Sequence, residues 1–231
     1  MTGSRKTLVI VAAVIAVFVA LVVVARTTGH RGPTENSATT AVAKKPGELA
    51  VVRRDPTDPM GMGNPDAPVV LSQWTDLRCP YCAVFNREVL PKLIDEYVKP
   101  GKVRFEVTDV AFFGDQSEKA AIAARAAARQ GKYFEFTKAV YAEAPEKGHP
   151  DLPRDRLVHF ATKAGVPDLA RFEKDLDDPA LALTVRDATA AAQGLGVPSV
   201  PFFLVGTSAL AGAQPVETFR AYLDEILNKA G

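Results

Sequence analysis

The chain has 231 residues, 47% of them hydrophobic, which is enough for one well-buried core of ordinary to large domain size. Its formal charge is +1 and its Lys and Arg residues are dispersed, so no basic face marks a nucleic-acid surface. Only two cysteines are present, Cys79 and Cys82, separated by two residues.

The first segment places Arg5 and Lys6 before eighteen consecutive apolar residues, Leu8 to Ala25, which end at Arg26. At 1.5 Å per residue the run spans roughly 27 Å, close to a bilayer hydrocarbon core. A cleaved signal peptide has a shorter apolar region, about 7 to 15 residues, and an A-x-A-like site, and neither fits well. Residues 1–26 therefore read as an uncleaved transmembrane anchor, with the N-terminus taken as cytoplasmic. Flanking charge is nearly even, since Arg26 and Arg31 oppose Arg5 and Lys6. Residues 27–48 are rich in Thr, Gly, Pro and Ser with no apolar period, and read as a flexible tether. Residues 49–231 would form a domain on the far side of the membrane.

Within that domain PVVLSQW, residues 68–74, follows the turn-rich GMGNPDA and reads as a buried strand. Cys82, Phe85, Val89 and Leu93 then recur at helical spacing, predicting a helix from Pro80 to about Val98, bent at Pro91 and stopped at Pro100-Gly101. KVRFEVT, residues 102–108, alternates and reads as a second strand. A strand, helix, strand crossover of this length implies a parallel, right-handed pair. About 75 residues of helical pattern follow. Asp115 and Glu118 resemble a capping box opening an Ala-rich helix that Gly131 ends. Further helices are expected around Tyr133–Glu143, Arg154–Ala164, Leu169–Asp175 and Pro179–Gln193. β character returns at PFFLV and Ala209–Ala211, and a helix over Val216–Asn228 closes the chain. A βαβ unit and a ββα unit thus flank a helical insertion at about 115–194.

Cys79 and Cys82 admit three readings. As a structural staple the bridge would close a loop of about four residues and gain roughly 2 kcal/mol, against roughly 4.7 for a hundred-residue loop. As a zinc site it lacks partners: His30, His149 and His159 fall in the tether, a Gly-Pro turn and a helix, without ligand spacing. As a redox pair it has local physics in its favour. Pro80 suits the first helical position, so the Cys79 sulfur would lie where unpaired N–H groups and the positive end of the helix dipole stabilise a thiolate. Cys82, three residues on, shares the helix face and is placed to bridge or resolve. No metal or organic cofactor is then expected beyond the Cys79–Cys82 disulfide itself. Gly61-Met-Gly63 and Gly194-Leu-Gly196 lack the third glycine of a dinucleotide fingerprint.

Four stretches carry a family resemblance: GNPDAPVV, WTDLRCPYC, GKVRFEVTD with the Ala-rich helix and QGKYFEF after it, and GVPSVPFFLV with the later AGAQP. In that order the chain resembles, over residues 61–228, the DsbA-like thiol:disulfide oxidoreductases of the thioredoxin superfamily. The resemblance implies a thioredoxin fold, α/β with a central mixed sheet, carrying an inserted helical domain. It implies Cys79 as the nucleophile that forms mixed disulfides, and Cys82 as the buried resolving partner. Pro201, preferred over its rival Pro198, would be the cis-proline beside the disulfide. Val200, Pro80 and Tyr81 would contact substrate, Val200 through backbone groups that pair with a peptide as an added strand does. The activity implied is donation of the disulfide to newly exported proteins, with reoxidation by a membrane partner of DsbB or vitamin K epoxide reductase-like type.

Two departures bear on redox strength. The family often has a buried acid six positions before the first cysteine, where it shuttles the proton of the buried thiol; here that position is Gln73. Asp76 and Glu106 are nearer or neighbouring acids, but read as a turn former and a surface charge. The dipeptide between the cysteines is Pro-Tyr instead of the Pro-His of strong oxidants. Phe112, Phe113, Phe202 and Phe203 are candidates for a peptide groove or for core. A reductase or isomerase on the same fold, and a tethered peptide-binding holdase with incidental thiols, are the alternative functions.

Overall fold

The computed structural model describes residues 49–230. The expected anchor and tether, residues 1–26 and 27–48, lie outside the described residues. Among those described, no helix is long and apolar enough to cross a membrane.

The elements run β1 (Gly61–Met62), β2 (Val69–Thr75), α1 (residues 80–98), β3 (Val103–Asp109), α2 (Asp115–Ala128), α3 (Tyr133–Ala142), α4 (Arg154–Lys163), α5 (Leu169–Asp175), α6 (Pro179–Gly194), β4 (Phe202–Val205), β5 (Ser208–Ala211) and α7 (Val216–Ala230). The sheet order is β1-β3-β2-β4-β5. Strands β2 and β3 are parallel, joined through α1, while β1, β4 and β5 each pair antiparallel. The expected βαβ and ββα units therefore share one mixed sheet, with β2 at its centre, and the helices α2 to α6 form the insertion between them.

Every residue of β2 is buried, as a central strand covered on both faces must be. Register places Leu71 beside Phe105, Gln73 between Val107 and Phe203, and Thr75 beside Asp109. On that face Phe85 of α1 fills the core, its ring centroid 4.6 Å from Phe203, 5.2 Å from Phe219 and 6.4 Å from Phe105. Phe136 and Phe172, 5.8 Å apart, fill the core of the insertion. Against it the alanines of α2 are all buried, because a helix without bulky side chains lets neighbouring helices approach closely.

Four sequence expectations change. The turn-rich stretch before β2 contributes a short edge strand, β1, paired with Phe105 and Glu106. Glu106 is not a surface charge but 1% exposed: it meets Arg104 Nε at 2.6 Å and accepts the backbone N–H groups of Arg53 and Arg54 at 2.8 and 2.7 Å. The polar side of β3 is thus sealed by the segment before β1, which is where its alternation leads. Pro91 does not break α1 apart. The helix widens into π turns at Phe85–Val89 and Ile94–Val98, and the Leu90 N–H reaches the Phe85 carbonyl, so the turn ahead of the proline takes up its crowding and missing donor. No capping box opens α2. Gly114 is the N-cap at φ 79°, Asp115 already lies inside the helix, and Glu118 instead meets Arg186 at 2.8 Å.

Candidate active site

Sequence places Cys79 at the junction of β2 and α1, and folding makes it the N-cap of the helix. Its backbone is extended (φ −79°, ψ 118°) and Pro80 occupies the first helical turn. The Cys79 sulfur accepts the Cys82 N–H at 3.3 Å, satisfying one of the unpaired donors of the helix start. These contacts act on the thiol. Hydrogen bonding from the Cys82 side chain, then from the Cys82 and Tyr81 backbone, holds the Cys79 pKa below the ordinary thiol value of 9.0, against burial and the Asp76 charge. Cys82 is fully buried, and burial first, then the Cys79 sulfur, push its thiol well above the same value, with the Thr75 hydroxyl opposing. One sulfur is poised to react and the other to stay protonated. Tyr81 between them is 67% exposed.

The strand β4 supplies the facing wall. The Val200–Pro201 peptide is cis, both residues are buried, and the Cys79 thiol donates to the Val200 carbonyl at 3.3 Å. The predicted site residues Cys79, Cys82, Val200 and Pro201 therefore meet, with Pro80 and Tyr81 on the same turn. Pro198 lies in the loop ahead, in a trans peptide. Of the candidate groove aromatics, Phe203 is wholly core and Phe202 packs on Trp74 at 6.0 Å. Phe112 and Phe113 are half-buried at the site's edge.

Other residues around the pair take places that sequence reasoning misjudges or misses. Asp76 is a turn former but no surface group: it is 0% exposed, its Oδ1 accepting from Arg78 N–H and its Oδ2 from Phe112 N–H, each at 2.8 Å. Burial raises its pKa above the ordinary 3.8 in spite of those bonds. Its backbone carbonyl accepts the Cys79 N–H at 3.0 Å. Arg78 reaches across to the insertion, donating to the carbonyl of Pro150 at 2.9 Å, and to the loop that leads into it, donating to the carbonyl of Phe113 at 2.8 Å. His149 returns the contact, its Nδ1 lying 2.9 Å from the Arg78 carbonyl while its ring stacks on Phe113 at 4.1 Å. Beneath the pair, the hydroxyls of Thr75 and Tyr141 meet at 2.7 Å. Tyr141 and His149 come from the insertion, and no spacing in the sequence announces either. The one available signal was the Asp-x-Arg turn next to Cys79. Among the described residues no cluster of three His, Cys, Asp or Glu forms that could hold a metal ion.

Comparison with known proteins agrees with this arrangement. A family model described as Thioredoxin matches residues 55–225. The probable disulfide bond formation protein D of Bacillus anthracis is 30% identical over 144 residues, 61% of this chain and 66% of that protein, so the match spans just under two thirds of the relative's length. Among solved structures, oxidised BdbD from Bacillus subtilis superposes with a TM-score of 0.68 at 21% identity, covering 73% of this chain and 92% of the other. Wolbachia pipientis alpha-DsbA1 does so with a TM-score of 0.65 at 23% identity, covering 74% and 91%. The chain belongs to the thioredoxin family.

Proposed function

We propose that this protein donates its Cys79–Cys82 disulfide to reduced proteins on the extracytoplasmic side of a membrane, to which residues 1–26 anchor it. The observation that carries the reading is the asymmetry of the pair: a Cys79 sulfur, 2% exposed, at a helix N-terminus within 3.3 Å of the Val200 carbonyl and with its pKa lowered, and a Cys82 with no exposure behind it and its pKa raised. A substrate thiolate attacks the Cys79 sulfur of the disulfide, forming a mixed disulfide as the Cys79–Cys82 bond breaks and its electron pair passes to Cys82. A second substrate thiolate then attacks the substrate sulfur and expels Cys79, whose depressed pKa makes it a good leaving group. Substrate leaves oxidised, by two electrons, and the enzyme leaves reduced. Val200 presents backbone groups to an extended substrate segment, with Pro201, Pro80 and the exposed Tyr81 ring shaping the surface around it. Reoxidation falls to a membrane partner of DsbB or vitamin K epoxide reductase-like type.

The test is to quench growing cells with acid, alkylate free thiols and read the redox state of the full chain. A mostly oxidised Cys79–Cys82 pair is expected; a mostly reduced pair overturns the donor reading in favour of a reductase.

A further inference from the structure

When the Cys79–Cys82 bond breaks, a negative sulfur is created at Cys82, a position with no exposure to solvent. A proton must reach it, and Gln73 has none to exchange. Besides the Cys79 sulfur and the Asp76 backbone N–H, the group that faces Cys82 is a hydroxyl. Thr75 lies against its sulfur, and Thr75 Oγ1 is 2.7 Å from Tyr141 Oη, which in turn approaches the Asp76 carbonyl at 3.3 Å. Beyond Tyr141 is a cavity of about 10 Å³, room for about one water molecule, lined among others by Gln73, Thr75, Asn86, Tyr133, Thr137 and Tyr141. No Asp, Glu, Lys, Arg or His lines it.

We propose that Thr75 and Tyr141 form a hydroxyl relay that carries a proton between a water in this cavity and the sulfur of Cys82, replacing a carboxylate shuttle. The inference rests on the exchange reading above and deepens it. As the Cys82 thiolate forms, Thr75 O–H donates its proton to sulfur and Tyr141 O–H donates to Thr75 Oγ1. The cavity water donates to Tyr141 Oη and is itself refilled from solvent, so the sum is one solvent proton delivered to Cys82. The relay leaves the chain of hydrogen bonds reversed: Cys82 S–H points to Thr75, Thr75 to Tyr141, and Tyr141 to the Asp76 carbonyl. The 3.3 Å contact to that carbonyl gives the Tyr141 hydrogen its second resting place. Burial and the nearby Cys82 hold the Tyr141 pKa far above 10.0, so the phenol stays a neutral donor throughout. Thr75 touches the reacting sulfur; Tyr141 acts through Thr75.

The test follows reduction of the oxidised full-length chain by dithiothreitol, with acid quench and alkylation at intervals, in H2O and D2O at about pH 6. Thr75→Val and Tyr141→Phe, which keep the bulk of each side chain, are each expected to slow reduction by roughly a hundredfold, the low end of general acid catalysis, and to reduce the solvent isotope effect of the parent. Thr75→Ser, which restores a hydroxyl, is expected to recover the parent rate. Rates for both variants within roughly threefold of the parent, or a loss that Thr75→Ser shares, overturn the relay. A parent whose disulfide dithiothreitol cannot reduce overturns the exchange reading itself, so the two failures are distinct.

Discussion

The thiol of Cys79 donates to the carbonyl of Val200 at 3.3 Å, across 121 positions of sequence. That contact joins the start of α1 to the start of β4, so the βαβ and ββα halves of the sheet close on the reactive sulfur. On the function proposed above, a substrate strand pairing at Val200 would bring its own sulfur to Cys79 with little search, which is how positioning accelerates a bimolecular exchange.

The unequal thiols give a direct prediction for the reduced chain. Iodoacetamide should modify Cys79 below pH 9.0 and at a lower pH than Cys82, because one pKa is lowered and the other raised from that ordinary value. The largest stabiliser of the Cys79 thiolate is the Cys82 side chain, so Cys82→Ala should raise the Cys79 pKa. Thiolate absorbance in the far ultraviolet, followed against pH, reads both effects. Equal alkylation of the two cysteines would sink the asymmetry.

Asp76 works against the thiolate, since its charge raises the Cys79 pKa. Asp76→Asn should lower that pKa and make the disulfide more oxidising, by roughly 30 mV for each pKa unit. Stability follows a separate sign. The folded Asp76 carboxyl has a raised pKa, so its contribution is fully present below the unfolded value near 3.8 and is lost as pH rises through the folded one. The variant lacks that decline and keeps one acceptor for the Arg78 and Phe112 N–H groups. Equilibration with glutathione and urea unfolding across pH measure the two; an unchanged potential would show that Asp76 is electrically remote from Cys79.

What the sequence discloses here is whatever local physics determines. A proline after Cys79 sets the helix start, a buried apolar run sets β2 and an aromatic-rich apolar run sets β4, and the period of α1 shows directly. Distant packing is a different matter. Glu106 and Arg104 look like the solvent side of an alternating strand, because alternation is identical whether that side meets water or a buried ion pair. His149 sits in a loop with nothing to mark it, yet tertiary folding brings it to Arg78. Tyr141 reads as an ordinary core position of α3, and only the fold sets its hydroxyl against Thr75. The unit hardest to read is the one made by the insertion closing over the sheet.

Arg78 is the clasp of that closure, with its guanidinium on two carbonyls of the insertion side. Arg78→Ala should cost roughly 1 to 2 kcal/mol, the value of charge-assisted bonds discounted for partial exposure. Urea unfolding gives the number. Amide exchange should accelerate at residues 148–151 and 112–114 while the β2 and β3 amides stay protected. Faster exchange in the central strands instead would mean that the clasp holds the whole domain and not its closure.

Gln73 offers the last and strongest test of the space under the cysteines. It is 4% exposed, between Val107 and Phe203, on the same sheet face as Thr75 and in a cavity lined by no charged side chain. Gln73→Glu would place a carboxyl there without a cation to pair it. Burial should raise its folded pKa, so the variant should match the parent below about pH 4, near the ordinary Glu value of about 4.3. As pH rises through the folded pKa the deficit should grow to roughly 2 to 4 kcal/mol, the cost of burying an unpaired polar or charged group. The same carboxyl would stand where it can feed protons to Cys82, so it should restore fast dithiothreitol reduction to a Thr75→Val chain near its own pKa. Stability that is indifferent to pH would mean the cavity is already wet enough to solvate a charge. A Cys82 thiolate would then need no relay of hydroxyls to find its proton.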